Sequence, residues 1–245
     1  MARPRRVSLF ITCVVDQFYP AVGMSVVEVL ERLGLEVDFP DAQTCCGQPA
    51  FNSGFHEPAR EVARTWLRAV RDSEAIVAPS GSCTAMVRHT YEEIFHGYPT
   101  ELAEARALAA RTYEFSEFLY TVMGLEDVGA PAWNGAVTLH QTCHLSRELG
   151  IREPVRKLLA AVPGIEVKEM ALSDDCCGFG GTFAVKFDGI SAAMADDKLN
   201  RAAETGAPTI VACDMSCLMH IDGRARRRGM DLQCVHLAQV LAGNH

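Results

Sequence analysis

TCCGQPAFNSG, Thr44 to Gly54, and DCCGFGGTFAV, Asp175 to Val185, are two versions of one loop in a single chain. Each carries two adjacent cysteines followed by glycine. Working outward, the flanks repeat as well. VSLFITC (Val7 to Cys13) precedes the first loop, and VTLHQTC (Val137 to Cys143) precedes the second. AIVAPSGSC (Ala75 to Cys83) follows the first, and TIVACDMSC (Thr209 to Cys217) follows the second. EFSEFL near Glu117 and VHLAQVL near Gln239 correspond more loosely. Eight cysteines therefore fall into two sets: Cys13, Cys45, Cys46 and Cys83, then Cys143, Cys176, Cys177 and Cys217. Matching members are offset by 130, 131, 131 and 134 residues. That period is too long for a solenoid unit and marks a duplicated domain. The two domains are expected over residues 1–125 and 136–245. The Gly- and Pro-containing stretch from Gly124 to Gly135 joins them.

Within each repeat, apolar strands alternate with helical patterns. The first half predicts strands at Val7 to Thr12, Leu35 to Phe39 and Ala75 to Ala78. Helices are predicted at Val22 to Leu33, at Glu57 to Arg71 and from about Cys83. The second half predicts strands at Val137 to Leu139, Glu166 to Met170 and Thr209 to Ala212. Its helices are predicted at Glu153 to Ala161 and about Ile190 to Thr205. This alternation defines an α/β class, with two pseudo-symmetric tandem domains, each a small mostly parallel sheet flanked by helices. Ligands in such folds sit beyond the carboxyl ends of the strands. Each half's four cysteines lie at or shortly after strand ends, so they are expected to converge at one edge of each sheet.

Four converging thiolates suit a tetrahedral zinc or an iron–sulfur cluster. Adjacent cysteines reach different atoms of an extended cluster more readily than they chelate one small ion. Glycines beside them (Gly47, then Gly178, Gly180 and Gly181) let backbone N–H groups approach cluster sulfurs. Both features favour iron–sulfur. Cys234 reads as a small buried hydrophobe. Cys213 aligns with Pro79 and has no counterpart, which leaves a core residue, a replacement ligand and a redox thiol open. His140 and His144 bracket Cys143, and His220 follows Cys217. The three are auxiliary candidates for a ligand or a hydrogen bond, and the first half has only His89 near Cys83.

Composition excludes several classes. The chain has 245 residues, 49% hydrophobic and 22% charged, with a formal charge of -8. A nucleic-acid binder ordinarily shows a basic field. The run Arg224, Arg226, Arg227 and Arg228 reads as a solvated helix end. No stretch reaches the roughly 18 apolar residues needed to span a bilayer. The start, MARPRRVSLFITC, lacks a small-residue cleavage site and reads as a first strand with a basic leader. A cytoplasmic protein is therefore expected, neither integral to a membrane nor bound to nucleic acid. A long chain without an export signal uses clustered cysteines for metal or redox work rather than as a disulfide framework. No nucleophile elbow, P-loop or H-E-x-x-H occurs. The run GFGGTF, Gly178 to Phe183, lacks the dinucleotide-binding glycine spacing. The charge of -8 gives no cationic pocket suited to a carboxylate substrate, though a single buried arginine such as Arg147 escapes a reading of composition.

The paired CCG segments resemble the cysteine-rich CCG family. That family is found in the B subunit of heterodisulfide reductase, the C subunit of anaerobic glycerol-3-phosphate dehydrogenase and the lactate utilization proteins. The family pattern is a cysteine, about 31 to 39 residues, CCG, about 35 residues and a final CxxC. It occurs here twice over nearly the whole chain. In the heterodisulfide reductase branch, five cysteines per repeat hold a noncubane [4Fe–4S] cluster. This chain departs there, since the first cysteine of the final CxxC is Ser80 in one half and Asp214 in the other. Four ligands per half imply an ordinary [4Fe–4S] cluster, one or two per chain, with zinc in one half as the alternative. The short two-repeat form, with PSGSC and SCLMH, looks closest to the lactate utilization branch. That resemblance implies an electron-transfer subunit that has no activity alone. It would act in the oxidation of L-lactate to pyruvate with a LutB-like iron–sulfur protein and a LutC-like protein. A CCG subunit of another dehydrogenase or disulfide reductase and a zinc-binding structural protein are the alternatives.

Overall fold

The computed structural model describes residues 3–244. Met1, Ala2 and His245, at the outer limits of the two expected domains, lie outside the described residues. The first half forms strands β1 (Arg6–Leu9), β2 (Glu36–Asp38), β3 (Ile76–Ala78) and β4 (Thr112–Glu114). The second forms β5 (Gly135–Leu139), β6 (Ile165–Lys168), β7 (Thr209–Ala212) and β8 (Gln233–His236). The sheet orders are β2-β1-β3-β4 and β6-β5-β7-β8, and every pairing is parallel. The duplication read from the cysteines is thus a duplication of topology, and the sheets are wholly parallel.

The helices cover both faces, so the central strands are buried on both sides and read as continuous apolar runs. Val7, Leu9 and Val77 point to one face, whereas Phe10, Ile76 and Ala78 point to the other. The helix Pro20–Arg32 packs Val26, Val29 and Leu30 on the first face. On the opposite face, His56–Val70 places Trp66 against Phe10, with ring centroids 5.3 Å apart. Tyr91 and Phe95 extend that edge-to-face series. Each such pair contributes about 1 kcal/mol beyond its buried area.

Beside the first-half core around Trp66, a further core is built from both halves. One cluster contains Val7, Leu9, Leu30 and Val77 together with Val137, Leu139, Leu158 and Val240. The segment between the halves is packed into the same cluster through Val128 and Trp133. Trp133 also donates its backbone N–H to Pro163 O at 2.8 Å.

Two differences from the sequence expectation matter. β1 ends at Leu9, short of Thr12, because the Ile11 N–H turns to Gln43 Oε1 at 2.8 Å and a helix begins at Cys13. Each sheet also gains a fourth strand, β4 or β8. These strands read TYE and QCVH, too short and too polar to stand out from local pattern.

The strand order places the site. From β1 the chain moves outward to β2, then crosses back to β3 on the other side. A crevice opens where the direction reverses, beyond the carboxyl ends of β1 and β3. Cys13 begins the helix after β1, and Cys83 lies in the helix Gly81–Ala85 after β3. In the second half, β5 leads to Cys143, and β7 leads to the helix Met215–Arg227 that carries Cys217.

Candidate metal centre

The CCG loops close the two crevices. Gly47 has φ +86° and Gly178 φ +90°, both left-handed. Each turns its N–H onto the first cysteine of its own pair. Gly47 N to Cys45 Sγ and Gly178 N to Cys176 Sγ are both 3.4 Å. A side chain is crowded at Gly47 and blocked at Gly178. A Cβ on Gly47 would lie 3.2 Å from Ala59 O, and one on Gly178 would lie 2.6 Å from Ser191 O. The second cysteine of each pair points inward and is 2% exposed. Tyr91 Oη donates to Cys46 O at 3.1 Å and Ser191 Oγ to Gly178 O at 2.7 Å, so each loop is tied to a helix packed beside it.

In each half the four thiols perturb one another in series, Cys13–Cys45–Cys46–Cys83 and Cys143–Cys176–Cys177–Cys217. Cys45 is the acceptor from Cys13 and Cys46, which holds its thiol well below the ordinary range. Cys143 and Cys177 act on Cys176 in the same way, with help from the Gly178 N–H. The donors Cys13 and Cys143 are pushed up, first by those same hydrogen bonds and then by burial. A thiolate is the ligand form of cysteine. Each half thus gathers four sulfurs, one of them favoured as thiolate by its neighbours, a donor set that fits a soft metal or an iron–sulfur cluster.

All eight cysteines line one cavity of about 170 Å³. The expectation was one site at the edge of each sheet. Each half does gather its four, and the two edges then face each other. Gln48, Asn52, Ser82, His144, Phe179 and Asp214 are among the other residues of the wall. Ser53 Oγ meets Thr182 Oγ1 at 3.4 Å, where the loops abut.

Ser80 and Asp214, the two positions where a fifth cysteine is missing, meet across the junction. Ser80 Oγ donates to Asp214 Oδ2 at 2.9 Å, and the Ser82 Oγ and N–H donate to the same oxygen at 2.7 and 3.0 Å. Each residue also caps its own helix, Ser80 by accepting from Cys83 N and Asp214 from Ser216 N. The hydroxyl and the carboxylate therefore serve the junction between the halves.

The other candidates separate cleanly. Cys213 is buried in the shared core, absent from the cavity wall, and burial pushes its thiol up. Of the three open readings, this position favours the core residue. Cys234 packs at the edge of the second-half core. His89 does not reach the cavity. His220 Nε2 faces Ser191 Oγ at 3.2 Å. His144 Nδ1 is 3.7 Å from Cys143 Sγ, while its Nε2 faces Glu148. His140 is fully buried, and burial first, then the nearby Lys198, pull its imidazole down to about 4. Its ligand nitrogen and the sulfurs of Cys177 and Cys217 lie within 4.8 Å of one another.

Arg147 is not the buried arginine the sequence suggested. Its side chain is about half exposed, donates to Asp174 O at 2.8 Å and faces Asp175. The basic run closes the helix Met215–Arg227, where Arg224 grips Asp196 through two nitrogens and Arg226 pairs with Asp222. Sequence reasoning missed Lys198, which is 1% exposed and donates to Leu172 O at 2.8 Å and Ser173 O at 3.2 Å. A lysine in the row Ser191, Ala195, Lys198, Ala202 of an otherwise small-residue helix face was the available signal.

Two doubly wound parallel sheets, each presenting a cysteine, an adjacent pair ended by a strained glycine, and a fourth cysteine in a capped helix, define the CCG class. The sequence profile of that family's cysteine-rich domain matches residues 7–88 and 137–222, so the chain belongs to it. Within the class it belongs with the lactate utilization A proteins. It is 50% identical to lactate utilization protein A 2 of Bacillus cereus (strain 03BB102), over 97% of this chain and 98% of that one. It is 49% identical to lactate utilization protein A of Macrococcus caseolyticus (strain JCSC5402), over 96% of each. Among solved structures, a hypothetical protein from Helicobacter pylori superposes with a TM-score of 0.69 at 9% identity. It covers 99% of this chain and 49% of that one, a likeness of fold. No helix among the described residues is long and apolar enough to cross a membrane.

Proposed function

We propose that the two four-cysteine sets each hold a metal centre, at least one of them a [4Fe–4S] cluster, and that the chain passes electrons within a multi-protein system that oxidises L-lactate to pyruvate. The observation that carries this reading is the convergence of both sets on one cavity, in a chain belonging to the lactate utilization A proteins. Cys13, Cys45, Cys46 and Cys83 are the ligands of the first centre, and Cys143, Cys176, Cys177 and Cys217 those of the second. An iron–sulfur cluster supplies transfer of single electrons. The Gly47 and Gly178 N–H groups stabilise negative charge on sulfur, and Phe10, Trp66 and Tyr91 share the first-half core with Cys46 and Cys83.

Converting a 2-hydroxy acid to its keto acid releases two electrons, which calls for a flavin or nicotinamide to accept the pair. That step is assigned to the partners, a LutB-like iron–sulfur protein and a LutC-like protein. The contact between Ser80 and Asp214 argues against the five-thiolate cluster of heterodisulfide reduction.

Anaerobically purified protein is expected to be brown, with iron and acid-labile sulfide. Assayed with L-lactate and an artificial acceptor, it should turn over only when the LutB-like and LutC-like proteins are added. Cys176→Ser or Cys177→Ser should abolish that turnover. Colourless protein with stoichiometric zinc, or steady turnover by the isolated chain, would overturn the proposal.

A further inference from the structure

The two sites are alike in sulfur and unlike in everything beneath it. Under the first lies Phe10, packed on Trp66. The matching residue under the second is His140, the fourth residue of VTLH against VSLF. Its Nδ1 lies 3.2 Å from Ser173 O. That same oxygen accepts the Gln141 N–H at 3.0 Å and the Lys198 ammonium at 3.2 Å. A carbonyl oxygen only accepts, so Nδ1 carries the proton in the neutral ring and Nε2 is left with a lone pair. Nε2 has no hydrogen-bond partner among the described residues, although it is buried. One of the two ring nitrogens lies within 4.8 Å of the sulfurs of Cys177 and Cys217. The loop that holds Ser173 O contains Leu172 at φ +52°, a conformation that costs a non-glycine residue about 1–3 kcal/mol. Lys198, buried to reach these two carbonyls, fastens the turn.

A ring nitrogen tied to a backbone carbonyl with the other nitrogen free beside sulfur ligands is the arrangement of a metal-bound histidine. We propose that His140 Nε2 is a ligand of the second-half metal centre, a nitrogen donor next to Cys177 and Cys217 that the first half cannot match. The two centres are then inequivalent by construction. The inference rests on the preceding reading only in taking the second cysteine set as metal-binding, and it holds for iron or zinc.

The test uses the full chain with Cys13→Ser and Cys45→Ser, so that the second set supplies the signal. Iron, sulfide and zinc are measured first. If iron is present, pulsed EPR of the reduced protein, prepared with natural and with ¹⁵N-labelled histidine, should show one directly bound histidine nitrogen. The coupling should vanish in His140→Phe, which installs the first-half residue, and persist in His144→Gln. If the site holds zinc, the iron–sulfur reading fails for that half. X-ray absorption should then show one nitrogen among the sulfurs, replaced or lost in His140→Phe. A second centre with only sulfur ligands, or a nitrogen signal that survives His140→Phe, would overturn the proposal. Loss of the coupling counts as support only in His140→Phe protein that keeps its metal content, so a folding defect there does not imitate support.

Discussion

Gly47 and Gly178 show why the third letter of the CCG motif is glycine. Both adopt a left-handed backbone, and that turn aims the N–H at the preceding cysteine pair. Space is a second constraint at Gly178, since Ser191 O sits where a Cβ would go. Gly178→Ala is therefore expected to cost about 3 kcal/mol of unfolding free energy and to empty the second centre. Gly54 has a similar φ of +84° but open space around it, so Gly54→Ala is expected to cost about 1 kcal/mol. Urea unfolding of the two variants measures the difference, and equal losses would show that the close approach to Ser191 carries no weight. Cys213 tests the opposite kind of residue. It is buried in the shared core with its thiol near Ser116, away from the cavity. Cys213→Ser is expected to leave iron and sulfide content unchanged, and loss of half the iron would make it a ligand.

At the level of elements, each half ends its fourth strand in a capping box. Glu114 closes β4 and caps the next turn, with Glu117 reaching back to it. His236 closes β8 and caps the helix Leu237–Ala242, with Gln239 reaching back. Both caps are fully buried. Burial pushes the Glu114 carboxyl up to about 8 from an ordinary 4.5, while the N–H and hydroxyl groups of its own turn pull the other way. Glu117 and Cys213 are the other titratable groups facing it. The folded chain holds a proton that the unfolded chain releases, so the stabilisation is full below pH 4.5 and is lost as pH rises through about 8. Between pH 6 and 8, stability should fall by at most about 1.4 kcal/mol per pH unit from this group. Glu114→Gln should remove that slope, and an unchanged slope in the variant would refute the assignment. His236 has the opposite sense. Burial pulls it from 6.5 down to about 4, so its contribution is present above pH 6.5 and is lost as pH falls toward 4. Its Nε2 faces Pro79 O of the first half at 3.2 Å, so this cap also spans the junction.

For the whole molecule, the shared core and the Ser80–Asp214 contact make the two halves one folding unit. Asp214→Ala would leave the Ser80 hydroxyl and both Ser82 donors buried without their acceptor. A loss of about 3 kcal/mol is expected. The two tryptophans report from different places, Trp66 from the first-half core and Trp133 from the shared one. Trp66→Phe and Trp133→Phe chains are expected to give coincident denaturation midpoints after correction for each variant's own stability. Separate transitions would mean that the halves unfold independently.

How much of this was legible in the sequence depends on distance along the chain. The duplication, the α/β class and the four-cysteine grouping are carried by residues that repeat in order, and strand ends deliver them locally. The left-handed glycines were marked by their place after the cysteine pairs. The fourth strands were hidden, because three or four polar residues become a strand only by pairing with a neighbour already in place. Arg147 was misjudged for a related reason, since its exposure is set by Asp174 and Asp175 from another loop. His140, His144 and His220 were indistinguishable as letters, and only the position of the Ser173 carbonyl assigns the free nitrogen to His140. The meeting of Ser80 with Asp214 was equally unreadable, because it depends on how one half packs on the other. Sequence by itself determined what each half is, through periodicity and the obligate backbone of CCG. Tertiary structure decided that the two sulfur sets face one cavity and that only one has a histidine beneath it, because both depend on contacts between segments more than 30 residues apart.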